Sequence, residues 1–311
     1  MRKEFVGTIA SVIAISIVGC SGVGTHTNEA SIAKRESVFA AHLKAATVST
    51  SDPMVARWIL PSWLSEISGL TLLRDGRMLV HADESARISV IDVKRGEVTK
   101  KFVLGRGSVA EDFEGITTVG DTIYLLSSKG ILFLFHEGDN DAGVPYRTFD
   151  TRLGKECEFE GVVYDSATSS LYLPCKRVLK KKEKKHEAGS LLVFRLPLPL
   201  GSTDDVARIE LPLAQNDSSR KEPTFQASDI TRDPATGHLV ALASRERQLI
   251  EFTTDGEVVR EELLPSSGHH QQPEGIAITR DGLLIVSDEA VRTPAAITVY
   301  RWPLAPMAVV Q

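Results

Sequence analysis

A five-residue motif recurs along the chain at a nearly constant interval, and that period restricts the possible folds more than any other feature. It reads Glu66-Ile67-Ser68-Gly69-Leu70, Asp112-Phe113-Glu114-Gly115-Ile116, Glu158-Phe159-Glu160-Gly161-Val162, Gln226-Ala227-Ser228-Asp229-Ile230 and Gln272-Pro273-Glu274-Gly275-Ile276. The fourth position falls at 69, 115, 161, 229 and 275, giving intervals of 46, 46, 68 and 46 residues. A fixed period in this range marks a repeat architecture in which each unit is one supersecondary element.

The residues after each motif say which element it is. Two apolar runs flank a turn, as in Leu70 to Val80 around Asp75-Gly76 and Ile276 to Val286 around Asp281-Gly282. Asp-Gly between β-rich runs is a strong hairpin signal. Third strands are expected at Ile88–Asp92, Ile131–Phe135, Leu191–Leu196, Gln248–Phe252 and Ile297–Trp302. Fourth strands follow at Val98–Leu104, Tyr146–Asp150, Val206–Leu211 and Glu257–Leu264, and four antiparallel strands repeated radially make a β-propeller blade.

The fifth unit ends after its third strand, while a spare strand-like run, Val55–Leu60, precedes the first motif. That run can supply the missing outer strand, join the two ends of the ring and remove an open sheet edge. The expectation is an all-β, five-bladed propeller over residues 54–303. A sixth blade is the alternative, but the extra residues of the long interval are too few for a four-stranded sheet. They fall around Lys180–Ala188 and Pro212–Pro223.

The start of the chain carries an address. Met1-Arg2-Lys3 precedes an uncharged, largely apolar run from Phe5 to Val18. That run is too short for a bilayer core of roughly 30 Å and fits a signal-peptide core. Ile17-Val18-Gly19-Cys20 resembles a bacterial lipobox, with Cys20 as the acylated mature N-terminus. The organisation expected is a signal peptide at 1–19, a lipidated tether at 20–53, the propeller, and a tail at 304–311. Ser21 in place of Asp favours an outer-membrane lipoprotein facing the periplasm. Within the tether, Glu29 to Ala46 reads as a weak helix.

With 36 basic and 41 acidic residues the chain carries a net charge of −5, which argues against general nucleic-acid binding. Three cysteines are too few for a disulfide scaffold. Cys157 and Cys175 fall at one end of one blade, either as a disulfide or as two separate thiols. A monomer is expected.

The motifs, together with His81-Ala82-Asp83-Glu84 and Val286-Ser287-Asp288-Glu289, resemble those of the SdiA-regulated family of bacterial envelope propellers, themselves distantly similar to NHL-repeat propellers. The resemblance covers residues from about 54 to 303 and implies a propeller with a bound calcium ion and no assigned reaction. The fourth repeat departs from it, with Ser228-Asp229 where others have Glu-Gly.

In a propeller the first strand of each blade starts at one mouth of the central channel, which brings Ser68, Glu114, Glu160, Ser228 and Glu274 into one ring. Converging carboxylates repel unless a cation is bound. Calcium takes six to eight oxygen ligands. The expected calcium site is centred on Glu114, Glu160 and Glu274, with Asp83 and Asp288 from adjacent strand ends. Glu66 and the rim cations Lys129, Lys176 and Arg245 suit a polar small ligand or an envelope protein, and suit plain ion pairing among loops equally well. The alternative function is a calcium-dependent hydrolase of esters, lactones or phosphates. No Gly-x-Ser-x-Gly elbow, His-Glu-x-x-His motif or phosphate-cradling glycine loop occurs. The basic run Lys180–Lys185 reads as a solvated loop, and His269-His270 as a surface loop.

Overall fold

The computed structural model describes residues 29–46, 54–179, 190–201, 205–213, 225–265 and 268–304. Cys20, the leader, the basic run Lys180–Lys185 and the tail at 305–311 lie outside the described residues. Among those described, no helix is long and apolar enough to cross a membrane.

Five antiparallel sheets form the five blades of a propeller. In the second blade, Phe113–Val119, Thr122–Ser127, Ile131–Phe135 and Tyr146–Asp150 run from the axis outward. The expected ring closure is present: Met54–Ile59 pairs antiparallel with Ala296–Arg301, placing Trp58 opposite Ile297. The first blade gains a short parallel edge strand, Gly143–Val144, beside Glu97–Leu104. In the third blade the inner strand breaks into Cys157–Phe159 and Val163–Asp165.

The core lies between blades rather than inside one. Alternate residues of a strand point to opposite faces of its sheet, so each blade packs against both neighbours. Leu79 joins Phe113 and Leu125 of the second blade, whereas Met78 and Val80 join Ile285 and Val299 of the fifth. The hairpins between first and second strands turn on glycines in the left-handed region, Gly76 at φ 85° and Gly282 at φ 73°.

The helix expected at Glu29–Ala46 forms, and it docks on the ring. Phe39 and Leu43, one turn apart, pack with Val55 and Trp58. His42 Nδ1 lies 3.1 Å from the Val55 carbonyl oxygen, and Arg95 Nε donates to Glu36 at 2.8 Å.

Candidate metal centre

All five motifs carry a register shift at the mouth of the channel. The shifts fall between Ile67 and Leu70, Phe113 and Gly115, Glu158 and Phe159, Ala227 and Asp229, and Pro273 and Gly275. A β-bulge leaves one residue unpaired and re-aims its side chain. In three blades the residue passed over on the inner strand is Glu114, Ser228 or Glu274. In the third blade the partner strand bulges instead, and the residue passed over is Lys176.

The next motif position explains how the ring closes. A Cβ on Gly115 would stand 2.6 Å from the Gly161 Cα of the neighbouring blade, so the inner strands approach backbone to backbone. Asp229 is the exception: its carboxylate reaches the next blade and accepts from the Ile276 amide at 2.8 Å, with only 1% of the residue exposed. Burial drives its pKa well above the carboxylate range despite that bond, with Glu274 and Glu160 adding to the shift.

Above the ring lies a bowl of carboxyl groups. Asp83, Asp112 and Glu114 present ligand oxygens that all lie within 4.8 Å of one another. Ser128 donates to Asp112 Oδ2 at 2.5 Å. Burial, reinforced by Glu160 and Asp112, raises the Glu114 pKa far above the usual carboxylate range. Burial also raises Glu160, although Lys176 pairs with it. Glu274 is pushed up to about 7, chiefly by burial. Asp83 is pushed up to about 6 by burial and by the adjacent Asp112. Burial works against the charge of Lys176, but Glu160, with Glu114 and Glu274 beyond it, holds its pKa above the ordinary lysine value.

The remaining residues expected at this mouth divide into rim and interior. Glu66 and Arg245 are exposed, and Lys129 pairs with Glu111 at 2.6 Å on the rim. Asp288 is buried in a different network: its Oδ2 lies 2.8 Å from His270 Nδ1, and His270 Nε2 lies 2.6 Å from the Tyr300 hydroxyl. A carboxylate only accepts, so the imidazole donates through Nδ1. His270 is therefore an interior residue and not part of a surface loop. Arg57 of the closing strand approaches Asp288 to 3.7 Å, so this network fastens the ends of the ring. Cys157 and Cys175 form a disulfide with Cα atoms 5.8 Å apart, directly beside Glu158 and Lys176.

Asp112 and Asp229 were not singled out as site residues in the sequence. Asp112 occupies the first position of a motif whose other first positions are also polar. Asp229 replaces a glycine, and that departure was its signal.

The sequence pattern of the SdiA-regulated family matches residues 218–302. No curated protein matches the chain. Among solved structures, glutaminyl cyclase from Myxococcus xanthus aligns with a TM-score of 0.51 and 14% identity, over 79% of this chain and 94% of that one. The PQQ-bound aldose sugar dehydrogenase from Streptomyces coelicolor aligns with a TM-score of 0.49 and 12% identity, over 79% and 98%. Virginiamycin B lyase from Staphylococcus aureus gives 0.41 and 12%, over 78% and 69%. At 14% identity the likeness to the cyclase is one of fold.

Proposed function

We propose that this five-bladed propeller, whose residues 218–302 match the SdiA-regulated family, binds calcium at its carboxylate mouth and there recognises a polar ligand or protein partner in the cell envelope. The observation that carries the reading is the convergence of Asp83, Asp112 and Glu114 to within 4.8 Å. Oxygens that share one calcium ion at 2.3–2.6 Å lie at most about 5 Å apart, so this spacing fits a common ion. The donors are carboxylate oxygens throughout, as a hard cation requires. Bound calcium would supply a positive centre that holds these carboxyls ionised, with coordination positions left for a ligand oxygen. The chain's own groups orient that ligand: Glu160 and Glu274 accept from its hydroxyls or amines, and Lys176 donates from beside Glu160. Lys129, Arg245 and Glu66 meet it at the rim. Acylation of Cys20, supported by the lipobox-like Ile17-Val18-Gly19-Cys20, would hold the protein at the outer membrane facing the periplasm.

Calorimetric titration of calcium into chelator-treated protein tests the reading. One ion per chain is expected, with affinity reduced at least about tenfold in Asp112→Asn, the scale of losing one charged ligand oxygen. Absence of binding heat, together with melting unchanged by chelation, removes it. A second reading, calcium-dependent hydrolysis of an ester, lactone or phosphate, draws on Glu274. Burial raises its carboxyl to about 7, and in its ionised form it would take a proton from an attacking water. Turnover on a panel of such substrates that disappears in Glu274→Gln with the fold intact would establish it, and silence across the panel leaves binding alone.

A further inference from the structure

The mouth opposite the carboxylates opens into a cavity of 910 Å³, bounded by hairpin turns from all five blades and by helix residue Phe39. Its volume falls within the roughly 300–1,000 Å³ of small-molecule sites. Phe39, Leu72 and Ile278 give it an apolar wall, and Arg74, Lys94 and Arg280 give it cations.

The charges around it do not cancel. Asp75 is held by Arg77 Nε at 2.7 Å. Asp92 pairs with Arg95 at 3.5 Å and also accepts from the amides of Lys94 and Arg95. Among the described residues, Arg74, Lys94 and Arg280 form no ion pair, and Asp281 is the lining carboxylate left to offset them. Arg74 leans from the first blade toward the turn of the second, where a Cβ on Gly120 would stand 3.9 Å from its Nη2. Arg280 extends from the fifth blade on the other side. Guanidinium groups in this setting hold carboxylate or phosphate oxygens through paired N–H donors.

We infer that this mouth is a second ligand site that takes a small amphiphilic anion. The anionic head lies between Arg74 and Arg280, with Lys94 nearby, and the apolar body lies along Phe39, Leu72 and Ile278. The docked helix contributes to the apolar side through Phe39, which lines the cavity. The site is independent of the calcium reading, since it shares no residue with the carboxylate bowl.

The test is fluorescence titration of the intact protein with dansyl-undecanoic acid. Saturable binding of one probe per chain is expected, displaced by dodecanoate or dodecyl phosphate. The exposed pair Arg74→Ser/Arg280→Ser should weaken binding at least about tenfold with unchanged melting, the scale of losing charge-assisted hydrogen bonds. Phe39→Leu should weaken the long-chain probe while leaving the protein folded. The inference is overturned if the probe fails to bind, if the double arginine variant binds equally well, or if dodecanol displaces the probe as well as dodecanoate does. Displacement by inorganic phosphate at the concentration that suffices for dodecyl phosphate overturns it too, because the apolar wall would then contribute nothing.

Discussion

At the scale of single residues, the axis is built by what glycine omits and by what Asp229 adds. Gly115→Ala would drive a methyl to 2.6 Å from the Gly161 Cα, and backbone cannot yield as a side-chain tip can. The expected loss of stability is about 1–3 kcal/mol, or more, read from denaturant midpoints. Asp229→Ala removes the acceptor of the Ile276 amide inside the ring and should cost about 1–3 kcal/mol by the same measurement. Lys176 makes the opposite case. Its ammonium sits beside Glu160 within the carboxylate bowl, so Lys176→Met should tighten calcium binding. Arg177→Met removes an equal charge one residue away, at Glu158 on the exposed side, and should change the affinity little. The glycines and glutamates of the motif were legible because they repeat. The role of Lys176 was not, because it depends on which of two paired strands bulges, and no local pattern encodes that choice.

At the scale of elements, the hairpins and the closing strand could be read directly, since Asp-Gly turns and an unpaired Val55–Leu60 run each carry a local physical signal. The helix Glu29–Ala46 was less legible as a docked element. Its apolar contacts come chiefly from Phe39 and Leu43, and the surface that receives them is assembled only when the fifth and first blades meet. His270 is a similar case: its neighbours Asp288 and Tyr300 lie 18 and 30 residues away. The disulfide belongs to this scale because Cys157 and Cys175 tie the interrupted inner strand of the third blade to its partner, 18 residues apart. Closing a loop of that size constrains the unfolded chain by about 3 kcal/mol. Cys157→Ser/Cys175→Ser should therefore lower the melting temperature by roughly 6–12 °C for a domain of this size. It should also weaken calcium binding, because Glu160 of the carboxylate bowl directly follows the strand Cys157–Phe159 that the bridge holds. A variant that melts lower yet binds calcium with full affinity would show that the bridge serves stability alone.

At the scale of the whole molecule, the ring separates charge along its axis. One mouth gathers Asp83, Asp112, Glu114, Glu160 and Glu274, and the other leaves Arg74, Lys94 and Arg280 without carboxylate partners among the described residues. A net charge of −5 conceals this division, which appears only when the repeat is wound into a circle. The division makes stability depend on pH in a definite direction. Burial raises Glu114, Glu160 and Asp229, places Glu274 at about 7 and places Asp83 at about 6. Between the ordinary carboxylate range and these raised values, the folded chain holds more protons than the unfolded one. Stability attributable to these groups must therefore fall as pH rises through that window. Calcium reverses the balance, because its ligands must give up protons to bind and its affinity grows as pH rises. Melting curves recorded in chelator should shift to lower temperature from about pH 5 to about pH 8. At a calcium concentration near one hundred times the dissociation constant, about 2.7 kcal/mol of stability should return at the upper end. The return should be smaller at the lower end, where protons compete for the same oxygens. If the calcium-induced shift is equally large at both ends, the bound ion is not held by Asp83 and Glu114, and the exposed acids Asp112, Glu66 and Glu84 become the groups to replace.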